Sequence, residues 1–138
     1  MIDKQASGQI AAARADERCT VILCKGCCCG NARKHPDVSQ KDQMARLRLI
    51  KEITVRTSDD CLGVCSYSNV VVVRPCPAAR RRGARPTWLG FVLDDTAVDA
   101  IGAWASQGGP GTVPPPDLLA LHEIQPPRRP HPAAERRA

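Results

Sequence analysis

Two groups of thiols, Cys24-Lys25-Gly26-Cys27-Cys28-Cys29-Gly30 and Cys61-Leu62-Gly63-Val64-Cys65, lie one βαβ length apart in this chain. Between Cys29 and Cys61 stand 31 residues, which suits one helix plus one strand. The apolar run Thr20-Val21-Ile22-Leu23 leads directly into the first group, and Ile53-Thr54-Val55-Arg56 comes shortly before the second. If residues 20 to 23 and 52 to 56 are parallel strands joined by a helix, right-handed crossover connectivity sets the C-terminal ends of both at one edge of the sheet. Both thiol loops then start at that edge, and Cys24, Cys29, Cys61 and Cys65 are placed to converge.

A chain of 138 residues is expected to form one domain, and at that size it buries only about two thirds of its unfolded surface. Aromatic residues make up 3 %, so the side chains that usually contribute most burial are scarce, and a metal centre would supply part of the missing stability. No apolar leader precedes the eight cysteines and no run of 18 apolar residues occurs, so a cytoplasmic protein with no membrane partner is expected. In a reducing compartment, clustered thiols serve as metal ligands or redox groups more often than as structural disulfides. The net charge of +6 comes without a zinc-finger histidine pair, RNP-like aromatic strand or helix-turn-helix signature, so no nucleic-acid partner is expected. Much of the excess lies in Arg80, Arg81, Arg82 and Arg85 and in Arg128, Arg129, Arg136 and Arg137, among Pro and Gly neighbours. Those positions read as solvated loop and tail, or as an electrostatic dock for an acidic redox partner.

Residues 1–18 are polar and Ala-rich and read as a loosely held arm, since any helix there has too narrow an apolar face to pack. After the first strand, Ser39 caps a predicted crossover helix reaching about Lys51, with Met44, Leu47 and Ile50 on one face. Asn69-Val70-Val71-Val72-Val73-Arg74 is the strongest strand signal and belongs in the middle of the sheet, covered on both sides. A long basic turn is predicted from Pro75 to Pro86, then a strand over 87–93. Asp95 or Thr96 caps a helix with Ala97, Val98, Ile101, Trp104 and Ala105 in one stripe, stopped at Gly108-Gly109-Pro110. Eight of the twelve prolines lie from residue 110 onward. There Leu118, Leu119, Leu121 and Ile124 form a short patch expected to dock as a helical turn or two, with residues 126–138 disordered. The expected organisation is thus an arm over 1–18, a domain over 19–109 and a Pro/Arg-rich tail over 110–138. The order βαβ then ββα is that of an α/β, thioredoxin-like sandwich.

The chemistry follows from the spacing. Iron-sulfur clusters need four thiolates on loops at the rim of a rigid element, with backbone N–H groups free to approach the sulfides. Gly26, Gly30 and Gly63 permit that approach. Lys25, Arg33 and Lys34 would favour the added electron, while Asp59 and Asp60 oppose it. In the first loop Cys27 and Cys28 compete with Cys29 as second ligand, although the spacing and the following glycine favour Cys29. Two other chemistries fit the thiols less well. Cys24-Lys25-Gly26-Cys27 is a C-x-x-C after a strand, as in thiol-disulfide oxidoreductases, but the cis-proline those enzymes carry before the third strand is missing and Cys61 and Cys65 would have no task. A four-cysteine zinc site prefers a two-residue spacing that the second pair lacks. His35 reads as a solvated loop residue, Cys19 and Cys76 as small buried thiols near strand ends, Trp88 and Trp104 as core anchors, and Tyr67 as packing or as a shield over the site.

These residues resemble the thioredoxin-like [2Fe-2S] ferredoxins, which share their fold with the cluster-bearing thioredoxin-like subunit of respiratory complex I. The likeness covers about residues 19 to 106. It is carried by a cysteine after the first strand, by Cys29-Gly30 closing the first loop, and by Cys61-Leu-Gly-Val-Cys65 before a valine-rich strand. The resemblance implies that Cys24, Cys29, Cys61 and Cys65 ligate a [2Fe-2S] cluster, that the activity is one-electron transfer between redox partner proteins rather than catalysis, and that a homodimer can form, since some members pair. Complex I members tend to carry a proline before the strand after the second pair, where this chain has Ser66-Tyr67-Ser68-Asn69. The likeness is therefore to free-standing ferredoxins.

Overall fold

The computed structural model describes residues 17–25, 36–58 and 67–126. The elements in chain order are β1 Thr20–Cys24, α1 Gln40–Arg48, β2 Thr54–Ser58, β3 Val71–Arg74, α2 Pro77–Arg81, β4 Thr87–Leu89, α3 Asp95–Ser106 and α4 Asp117–Ala120. The four strands form one mixed sheet in the order β2-β1-β3-β4. β1 and β2 are parallel, with Thr20 opposite Thr54 and Cys24 opposite Ser58. β3 runs antiparallel to β1, with Leu23 opposite Val71, and β4 antiparallel to β3, with Leu89 opposite Val71. The molecule is thus an α/β fold, and the β1-α1-β2 crossover expected from the thiol spacing is present.

Alternation along the central strands decides what each face packs against. Val21, Leu23, Val71, Val73 and Leu89 point into the main core with Leu47, Val98, Ile101 and Trp104. Ile22, Cys24, Val70, Val72 and Trp88 form a second cluster, with Ile124 against it. β3 is buried at every position, as its unbroken valines predict. α1 and α3 lie on the main-core side, tied at their exposed edges by Arg46, whose Nε and Nη2 donate to the Asp99 carboxylate at 3.0 and 2.7 Å. Burial of Leu47 and of the α3 stripe carries this layer energetically, at about 1.5–3 kcal/mol for each fully buried large aliphatic side chain, whereas the exposed ion pair adds little.

Several boundaries differ from the sequence reading, each for a local reason. Ser39 does cap α1, its Oγ accepting from Asp42 N–H at 3.2 Å. The helix ends at Arg48 rather than Lys51, because Leu49 and Ile50 N–H turn to the carbonyls three residues back. Ile50 still packs on the core. The second strand begins at Thr54 and continues to Ser58, where residues 57 and 58 were expected to lead out of it. The predicted basic turn contains a helix, α2, with Pro77 in its first turn and Cys76 as its cap, the sulfur accepting from Ala79 N–H at 3.4 Å. The predicted strand over 87–93 stops at Leu89. Beyond it Phe91 takes a left-handed φ of 55°, and Phe91 and Val92 donate to the carbonyls of Tyr67 and Asn69. The α3 cap is Asp94, not Asp95 or Thr96, with Oδ1 accepting from Ala97 N–H at 2.8 Å.

Both tryptophans are anchors as expected, each 3 % exposed, and Trp104 Nε1 donates to the Val113 carbonyl at 2.9 Å. The C-terminal patch docks as the single helical turn α4. Leu119 carries that contact by full burial while Leu121 stays 87 % exposed. Ile124 N–H then donates to the Trp88 carbonyl, so the chain continues along β4. No helix among the described residues is long and apolar enough to cross a membrane. The expectations for residues 1–16 and 127–138 fall outside the described residues.

Candidate metal centre

Cys24 is the last residue of β1 rather than the first of a loop. Three segments fix its backbone. Its N–H donates to the Val70 carbonyl at 3.0 Å, and the following Lys25 N–H donates to the Ser58 carbonyl at 2.7 Å. Its own carbonyl accepts from Gln40 Nε2 at 2.6 Å. The end of β2, the approach to β3 and the first turn of α1 therefore all meet at this one residue. A rigid, fully bonded backbone of this kind is what a ligand-bearing position needs to hold a sulfur in place.

Strand polarity makes this edge a confluence. β1 and β2 end here, β3 starts here and β4 ends here. The N-terminal turn of α1 brings its partial positive charge to the same edge, which favours negative charge close by. Gln43, one turn along, is 3 % exposed and donates from Nε2 to the Val92 carbonyl at 3.0 Å, tying α1 to the segment after β4. Its Oε1 has no hydrogen-bond partner among the described residues. Tyr67 stands at this edge as well, 40 % exposed and set edge-on to Phe91 with ring centroids 5.6 Å apart.

The Cys24 side chain belongs to the second apolar cluster, beside Ile22, Val70, Val72 and Trp88, and is 2 % exposed. Cys29, Cys61 and Cys65 lie outside the described residues, as do Cys27, Cys28 and His35. Among the described residues no group of three or more His, Cys, Asp or Glu could hold a metal ion.

Cys19 and Cys76 sit at the opposite edge, where β1 begins and β3 ends, and are buried as expected. Cys19 Sγ donates to the Gly108 carbonyl at 2.8 Å. Burial, reinforced by the neighbouring Cys76, pushes its thiol up to about 12. Cys76 is engaged as the α2 cap. Both are structural thiols far along the strands from Cys24. No protein-family model matches the chain, and no curated protein or solved structure is significantly similar to it.

Sequence reasoning missed Gln40 and Gln43. Their i, i+3 spacing after the Ser39 cap was visible, but glutamine has no single preferred role, and nothing marks an amide that will reach a strand carbonyl. Phe91 was missed as well, because a left-handed φ at a bulky residue leaves no sequence signal.

Proposed function

We propose that this protein is a one-electron carrier in which Cys24, Cys29, Cys61 and Cys65 hold a [2Fe-2S] cluster at the Cys24 edge of a thioredoxin-like sandwich. The observation that carries the proposal is the parallel pairing of β1 and β2 with Cys24 opposite Ser58. From that pair both thiol loops depart, and the second loop must return to Val70, which is bonded to Cys24. Cys29 is four residues beyond Lys25, Cys61 three beyond Ser58 and Cys65 two before Tyr67. At no more than about 3.6 Å per residue, all three are tethered within roughly 15 Å of this edge. The sheet order β2-β1-β3-β4, with β1 and β2 parallel and β3 and β4 antiparallel, supports a mixed-sheet α/β sandwich of this kind.

The described part of the site fits such a group. A buried thiol on a bonded strand end, flanked by valine and tryptophan, offers one sulfur ligand and a dry wall, and dry surroundings control a cluster's potential. The α1 N-terminus and Lys25 favour the negative charge that four thiolates bring. A bound [2Fe-2S] group accepts one electron and gives it up again. The protein's residues hold it, exclude water and present it to redox partner proteins. Burial of Cys24 also weighs against the dithiol-oxidoreductase reading, since an attacking thiol must be partly exposed. A reducing compartment such as the cytoplasm suits the chemistry, and the reading leaves a homodimer open as a partner state.

The test is serine substitution. Cys24→Ser, Cys29→Ser, Cys61→Ser and Cys65→Ser should each remove most of the iron and the visible absorption of the protein purified without oxygen. Cys76→Ser, at the far edge and with a hydroxyl able to keep the α2 cap, should retain both. Retention of iron in Cys24→Ser, or equal loss in Cys76→Ser, would overturn the ligand assignment.

A further inference from the structure

We infer that the groove between Lys25 and the outer stripe of α1 is a docking site for an acidic, amphipathic segment of a partner protein. Lys41, Met44, Ala45 and Arg48 stand at i, i+3, i+4 and i+7 and so share one helix face. With Lys25 and Val38 they line an open groove, and among the described residues no carboxylate lines it. Its floor is the half-buried pair Val38 and Met44, and its rim is the exposed cations Lys25, Lys41 and Arg48.

Among the described residues none of those three cations has a salt-bridge partner. The remaining cation inside α1, Arg46, is engaged with Asp99 at 2.7 Å and Asp95 at 3.7 Å on the side toward α3. The helix thus separates a neutralised face, packed on α3, from a positive face turned to solvent. The complement of an apolar strip with three cations around it is a segment carrying one or two large apolar side chains between carboxylates. Electrostatic complementarity of this kind chiefly raises the rate and selectivity of encounter. Nucleic acid fits less well, since no aromatic ring lines the groove to stack a base and three cations beside an apolar floor do not track a phosphate backbone.

The inference deepens the electron-carrier reading and rests on it for the partner's role. Lys25 follows Cys24 directly, and Gln40, which also lines the groove, donates to the Cys24 carbonyl. A segment seated there lies against the edge from which the electron would leave. It also moves the expected electrostatic dock from the arginine-rich stretch over 80–85, which follows β3 at the opposite end of the sheet, to the candidate centre itself.

The experiment uses the full-length protein and a fluorescein-labelled helical peptide with glutamates flanking leucines at i, i+4 spacing, followed by fluorescence anisotropy at low salt. Iron is measured on the same samples. The wild type should bind, and the double variant K41E/R48E should bind at least about tenfold more weakly. Arg82→Glu, one reversal on the α2 side, should change affinity less than twofold, and adding salt to about 0.5 M should abolish most of the binding. No binding by the wild type, equal weakening in Arg82→Glu, or tighter binding of a DNA duplex than of the peptide would overturn the docking site. Groove-dependent binding by protein that contains no iron would uphold the docking site and overturn the electron-carrier reading, so the two failures are distinct.

Discussion

Cys19 and Cys24 bracket β1 at opposite ends of the strand, and both are buried. Cys19 is completely buried, donates to Gly108 O and is held as a neutral thiol, its pKa pushed up to about 12 from 9.0 by burial. Below pH 9 both folded and unfolded chains keep that proton. Between about 9 and 12 only the unfolded chain releases it, so this thiol's contribution to stability is intact below 9 and is lost as pH rises toward 12. Urea unfolding across that range should show stability falling more steeply in the wild type than in Cys19→Ala. Parallel curves would mean that the buried thiol is not what titrates. Cys24 is equally shielded, at 2 % exposure, but ends its strand opposite Ser58, at the edge where the proposed cluster would be held. The sequence placed Cys19 and Cys76 correctly as buried thiols near strand ends. It could not show that Cys76 caps a helix, because sulfur is a weak acceptor and is not among the usual capping groups.

Elements with a strong, continuous signal were legible. The valine run Val70–Val73 that enters and fills β3, the Ser39 cap with Met44 and Leu47 in α1, and the apolar stripe of α3 each follow from one periodicity and one terminus. Elements that depend on a distant partner were not. β4 ends early because the chain after Leu89 bonds to residues 67–69 instead of β3, a choice made by tertiary packing. Two glycines separate what can yield from what cannot. A Cβ at Gly90 would meet Tyr67 Cβ at 2.9 Å and the Tyr67 carbonyl oxygen at 3.1 Å, and that oxygen already accepts from Phe91 N–H at 2.7 Å. Gly90→Ala should therefore lower stability by about 1–3 kcal/mol. A Cβ at Gly102 would run into Ile50 Cδ1, the free end of a side chain that can turn aside, while alanine gains about 1 kcal/mol of helix propensity. Gly102→Ala should stay within about 1 kcal/mol of wild type. Chemical denaturation midpoints decide between these outcomes, and the reverse ranking would contradict the packing described for both sites.

Across the whole molecule, strand polarity is what concentrates chemistry at one edge. A parallel β1-β2 pair followed by an antiparallel β3 sends two loop departures and one return to the same rim. The helix order sets the α1 N-terminus and a cationic groove beside it. The parallel crossover was legible from the apolar runs that precede the two thiol groups and from the spacing between them, because one helix and one strand in that length leave few topologies open. The groove was not legible, since it needs the register of α1 against Lys25. The most direct measurement is iron and acid-labile sulfide per chain in wild-type protein purified without oxygen, with its visible spectrum before and after reduction. The account predicts about two irons and two sulfides and a brown protein that bleaches on taking up one electron. A colourless protein holding zinc, or none of these, would contradict it.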